Sequence, residues 1–146
     1  MSREDNIATF RHLIDEGFNK GNLDALDDLF GPNCQEHQFQ LPGDLAGLKS
    51  SIRGLRATFP DLKVTIEDLI ADDNMVWARS TARGTQRGEF MGMPPGGTEI
   101  LIDVIDICRF ESGKIVEHWG VPDRYAQLVQ LGILTVPHTA SSEAGT

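Results

Sequence analysis

One carboxylate interrupts an apolar row. In the segment "EILIDVIDICRF", residues 99–110, strand alternation puts Ile100, Ile102, Val104, Asp106, Cys108 and Phe110 on the same face. An acid in that row must be paired, hydrated in a cavity, or protonated, because burying a lone charge is costly. A second strand ends in Glu117-His118-Trp119 and then Asp123, where Pro122 stops ladder pairing. Acid/base side chains and a large aromatic thus converge near one end of a sheet, as a small-molecule site inside a curved sheet requires. His37, in "CQEHQF", belongs to a short strand that chain order places beside the same sheet end. A histidine near two aspartates can hold a proton near neutral pH.

Each of these residues also has a plainer reading. Asp106 could be neutralised by Arg109 or a cross-strand base. Asp123 has the position of an N-cap for a helix starting at Tyr125. Alternation puts Trp119 with Ile115 and Val121, which is a core pattern, and His118 with Val116.

The elements that must position these groups follow from periodicity. Ile7, Phe10, Leu13, Ile14 and Phe18 form one stripe of a helix over residues 4–20. Asn22 opens a second, short helix carrying Leu23, Leu26, Leu29 and Phe30, and Gly31-Pro32-Asn33 is expected to break it. A short strand from Cys34 to Phe39 follows, then a third helix over about 45–58, stopped before Pro60. Beyond that point the chain reads as strands. Residues 62–71 alternate, Asp72-Asp73-Asn74 turns, and 75–86 present Val76, Ala78, Ser80, Ala82 and Gly84 on a small-residue face, with Trp77 on the other. The Glu111-Ser112-Gly113-Lys114 turn joins the last two strands, and a short helix from Tyr125 to Leu131 closes the pattern. The loop "GEFMGMPPGG" carries Phe90 and Met91, apolar side chains that a cavity mouth would bury. Helices first and an antiparallel meander after is the α+β order. One domain over residues 1–136 and a disordered tail over 137–146 are expected.

The balance of 13 basic and 22 acidic residues, net charge −9, repels phosphate backbones and anionic lipid, so neither nucleic acid nor membrane is the expected partner. No apolar run approaches the ~20 residues of a membrane span. The polar start carries no secretion signal, so the cytoplasm is the expected compartment. Cys34 and Cys108 read as buried thiols, and no cysteine or histidine spacing suggests a metal. The 88–97 loop has neither the lysine nor the glycine order of a phosphate loop, and no serine stands in a nucleophile elbow.

Two long pieces, "FPDLKVTIEDLIADDNMVWARSTARGTQRGEFMGMPP" at 59–95 and "DICRFESGKIVEHWGVPDRYAQLVQLG" at 106–132, resemble the SnoaL-like polyketide cyclase family. The resemblance runs from the first helix to Gly132. It implies a curved antiparallel sheet wrapped around the N-terminal helices as a cone-shaped barrel, an apolar pocket, and a homodimer. It further implies intramolecular aldol closure of a polyketide-like ester by a general acid/base, with no metal and no cofactor. The position matching the family's carboxylate is Asp123. His37, His118 and Asp106 are then the supporting proton-handling groups, and Trp77, Gln86, Phe90, Met91 and Trp119 the substrate-binding walls. Gln86 stands where many relatives carry histidine, and an amide donates a hydrogen bond but cannot shuttle a proton.

Two other activities suit the same scaffold. An epoxide hydrolase or isomerase of the limonene-epoxide type would need an acid two residues after the last tryptophan, where this chain has Val121, and an Arg-x-Asp strand pair. Arg79-Ser80-Thr81 and Arg83-Gly84-Thr85 lack that acid. The third reading is a dimeric small-molecule binder without turnover.

Overall fold

The computed structural model describes residues 2–38 and 41–137. Ser2 starts helix α1 (Arg3–His12) with a reciprocal cap: its hydroxyl accepts from the Asp5 amide at 3.1 Å, and the Asp5 carboxylate accepts from the Ser2 amide at 3.2 Å. The helix continues through a π-helical segment, Leu13–Asn19, so Phe10, Leu13 and Ile14 all reach the core. Its end is sewn to the sheet, because the Asn19 amide both donates to the Val64 carbonyl and accepts from the Val64 amide. A 3-10 helix, Leu23–Asp28, buries Leu26. Helix α2 (Leu45–Thr58) starts at Asp44, whose carboxylate accepts from the Gly47 amide at 2.9 Å, and buries Leu48 and Ile52.

Five strands form one curved, unclosed sheet: β1 (Phe30–Glu36), β2 (Lys63–Ala71), β3 (Met75–Thr85), β4 (Glu99–Glu111) and β5 (Lys114–Pro122), in the order β1-β5-β4-β3-β2. The last four make the antiparallel meander that periodicity predicts, and a short helix α3 (Arg124–Gln130) closes it. Ser112 and Gly113 both have positive φ, 50° and 75°, as the tight β4–β5 turn demands. The inner face of β3 and β4 is the predicted one: Val76, Ala78, Ala82, Ile100, Ile102, Cys108 and Phe110 are buried against the helices. The architecture is α+β, with the N-terminal helices packed in the curve of the sheet.

Two expectations are corrected. Gly31-Pro32-Asn33 does not break a helix but lies inside β1, which begins four residues earlier than expected. Proline is tolerated there because β1 is an edge strand, pairing only with β5 and in parallel. On β5 the register slips against β4: Phe110 pairs with Ile115, while Arg109 pairs with Glu117. The extra residue, Val116, reverses the alternation, so Ile115 and His118 both face inward. Trp119 consequently faces outward, not into the core. Of the expected C-terminal tail, residues 138–146 lie outside the described residues.

Candidate functional site

Asp106 sits on the inner face of β4 with Ala78 opposite on β3 and Gly120 opposite on β5. Small neighbours on both sides leave space over the carboxylate. A β-carbon built on Gly120 would lie 3.4 Å from Asp106 Oδ1 and 2.8 Å from Gln38 Oε1, so glycine keeps this approach open. The bulge on β5 turns His118 inward, and the parallel pairing of β1 sets Glu36 in register with it. These three strands assemble a buried chain of proton-carrying groups. His118 Nδ1 lies 2.6 and 2.9 Å from the two Glu36 oxygens, and His118 Nε2 lies 2.8 Å from Asp106 Oδ1. Glu36 is 7% exposed, Asp106 4% and His118 1%.

Burial alone disfavours the imidazolium, but hydrogen bonds and charge from Asp106 and Glu36 outweigh it and raise the His118 pKa to about 9. At neutral pH His118 is therefore charged and donates from both nitrogens, one to each carboxylate. Glu36 and Asp106 thus hold the ring from opposite sides. Among the described residues the Asp106 carboxylate has no other hydrogen-bond partner than His118. Cys108, opposite His118 on β4, is driven to a higher pKa by burial and by Asp106 and stays a thiol.

Asp106 opens on an inner hollow of about 80 Å³, lined among others by Leu55, Leu62, Ile100, Ile102 and Gln127. An outer hollow of about 490 Å³ shares Gln38, Pro122 and Arg124 with it and adds His37, Phe90, Met91 and Gly120. Ligand pockets span roughly 300–1,000 Å³, so a ring system has room only in the outer part. Arg124 forms the wall between them. Its Nη1 donates to Gln127 Oε1 at 2.6 Å, its guanidinium lies 5.7 Å from the centre of the Phe90 ring, and desolvation lowers its pKa from the ordinary arginine value.

The residues singled out by sequence separate into two groups. Asp106 and His118 come together in the interior, and Phe90 and Met91 line the outer hollow, with Met91 left 66% exposed. His37 lines that hollow too, but its ring is held outside the buried chain, bonded to Glu117 at 2.7 Å and stacked on Trp119 at 4.8 Å. The backbone alternates between Glu36 and His37, so the glutamate takes the interior place expected of the histidine. Gln86 is buried, and its amide donates to the Gly88 carbonyl at 3.0 Å and to those of Met93 and Pro94 at 3.4 Å, which pins the loop instead of lining the hollow. Trp77 is half exposed on the opposite face of the sheet, beside Ile70 and Ile105.

Asp123 lies apart from the buried chain. It is exposed, its carboxylate accepts from the Ala126 amide at 3.0 Å as the cap of α3, and it lines neither hollow. Sequence reasoning missed Glu36, Gln38, Gly120, Arg124 and Gln127. Of these, only Glu36 left a local trace, as the neighbour of His37 on a strand whose phase was open. Among the described residues no group of three or more His, Cys, Asp and Glu is arranged to hold a metal ion, and no helix is long and apolar enough to cross a membrane.

Comparison with known proteins places the chain in a family. The SnoaL-like polyketide cyclase model matches residues 8–131. The aklanonic acid methyl ester cyclase DauD of Streptomyces sp. (strain C5) is 27% identical over 133 residues, covering 86% of this chain and 81% of the relative. The nogalonic acid methyl ester cyclase of Streptomyces nogalater is 28% identical over 123 residues, covering 79% and 89%. Among solved structures, AclR of Streptomyces galilaeus, a candidate hydroxylase, superposes with a TM-score of 0.86 at 27% identity over 98% of this chain and 95% of its own. With the family model spanning both the sheet and the helices around the hollow, this chain belongs to the SnoaL-like polyketide cyclase family.

Proposed function

We propose that this protein closes a ring in a polyketide-like ester by intramolecular aldol condensation, with Asp106 as the general acid/base. A carbon flanked by a ketone and an ester carries a proton acidic enough for a carboxylate in an apolar hollow to remove. Asp106 takes that proton, and the enolate carbon attacks a second carbonyl of the same molecule, forming the new C–C bond. Asp106 then returns the proton to the resulting alkoxide. No electrons are gained or lost overall. Gln38 and Arg124, which wall both hollows, are the donors placed to meet oxygen atoms that gain charge. His118 and Glu36 act through Asp106, holding its carboxylate in orientation.

The observation that carries this reading is the buried Glu36–His118–Asp106 chain ending at an apolar hollow. Family membership and the two methyl ester cyclases among the relatives support the reaction class.

Aklanonic and nogalonic acid methyl esters are the first substrates to try. Asp106→Asn keeps an acceptor for His118 but cannot carry the proton, so kcat should fall by about 10²- to 10⁴-fold. Asp123→Asn keeps the helix cap and should stay within about twofold of wild type. Wild-type turnover by Asp106→Asn, or loss of turnover in Asp123→Asn alone, would transfer the role to the exposed carboxylate. Esters that raise the melting temperature yet are recovered unchanged would leave a binding protein.

A further inference from the structure

We infer that Arg124 makes the outer hollow a subsite for an anionic oxygen, a carboxylate or ionised phenol carried on an aromatic ligand. This rests on the cyclase reading and deepens it by naming a feature of its substrate; it shares Arg124 with that reading but not Asp106, and it can be read without turnover.

The chain is acidic, net −9; Arg3 pairs with Glu4, Arg79 with Asp68, and Arg109 with both Glu111 and Glu117, while Arg11, Arg53, Arg56, Arg83 and Arg87 form no ion pair among the described residues. Arg124 pairs with no carboxylate among the described residues. Partial desolvation of the guanidinium lowers its pKa from the ordinary arginine value. Arg124 is exposed, so its unused N–H donors can be reached by a ligand from the hollow. Arg124 is the wall common to the inner hollow that Asp106 enters and the outer hollow large enough for rings.

The guanidinium is also held in place. Gln127, 1% exposed, accepts from one Nη1 hydrogen at 2.6 Å, and the Phe90 ring covers one face at 5.7 Å. A guanidinium has five N–H donors in a rigid fork, and that is the only hydrogen bond it makes among the described residues. The rest of the fork suits a planar oxyanion, with the Phe90 face and Met91 supplying apolar contact for the aromatic body.

The test uses the intact protein with naphthoate and with neutral, near-isosteric naphthamide, titrated at low ionic strength and followed by calorimetry. Hydrogen bonds to charged groups predict that naphthoate binds wild type about tenfold more tightly than naphthamide. Arg124→Gln should bring the two affinities within about twofold, and Arg124→Lys should restore part of the preference, since lysine keeps the charge but not the fork. Circular dichroism of each variant confirms the fold. Equal affinities in wild type, an undiminished preference in Arg124→Gln, or no binding of either probe would each overturn the subsite. Asp106→Asn should keep the naphthoate preference while losing turnover, so failure of the cyclase reading and failure of this one give different results.

Discussion

A carboxylate works as a base in an apolar hollow only if its charge is supported without being neutralised outright. The Asp106 carboxylate is held by the His118 ring, at 2.8 Å from Nε2. Glu36 holds the same ring from the other side, at 2.6 Å from Nδ1. Glu36→Gln removes the Glu36 charge and one of the causes that hold the His118 pKa at about 9. The His118 pKa should then move down, measured by imidazole NMR against wild type. Because Asp106 keeps its partner, turnover should survive at about a tenth of wild type, well above Asp106→Asn. An unchanged His118 pKa in Glu36→Gln would mean that Asp106 alone sustains the imidazolium.

At the level of elements, the site depends on two irregularities and one pinned loop. The extra residue at Val116 decides that His118 faces inward, and the parallel edge pairing of β1 decides that Glu36 meets it. This explains what was legible beforehand. Asp106 was visible because β4 alternates without interruption from Ile100 to Phe110, a purely local pattern. Helix α2 and the β2–β3–β4 meander were visible for the same reason. The phase of β5 was not, because a bulge leaves no composition signal in "GKIVEHW", and simple alternation put His118 and Trp119 on the wrong faces. Glu36 was hidden because β1 pairs with a strand some eighty residues away, and Gly31-Pro32-Asn33 looks like a breaker unless the strand is known to be an edge. Asp123 shows the opposite case, where position next to a helix start was the better guide and the residue caps α3. The loop that carries Phe90 and Met91 is fixed by the buried Gln86 amide. Gln86→Ala should leave up to three carbonyls unsatisfied and cost about 1–3 kcal/mol, read from denaturant unfolding. With the mouth of the hollow loosened, KM should rise several-fold while kcat changes less. A kcat loss at unchanged KM would instead place Gln86 in the chemistry.

For the molecule as a whole, the same buried chain ties folding to pH. His118 has a folded pKa of about 9, raised from the ordinary 6.5. The folded protein therefore binds one more proton than the unfolded chain between those two values. The stabilisation from His118 is fully present below about pH 6.5 and is lost as the pH climbs through about 9, with a slope near 1.4 kcal/mol per pH unit inside that window. The net charge of −9 works in the same direction, since losing the buried cation adds to an existing excess of negative charge. Unfolding free energies from urea titrations at half-unit steps between pH 6 and pH 10 should thus fall for wild type and then level off. His118→Gln supplies the reference, because it removes this titration while keeping an amide that bonds to one of the two carboxylates. The variant should be less stable than wild type at pH 6, by several kcal/mol if two buried carboxylates lose their shared cation, and the gap should narrow steadily towards pH 10. Parallel stability curves across that range would show that His118 is not the proton-binding group, and with it would go the charged imidazole on which the support of Asp106 depends.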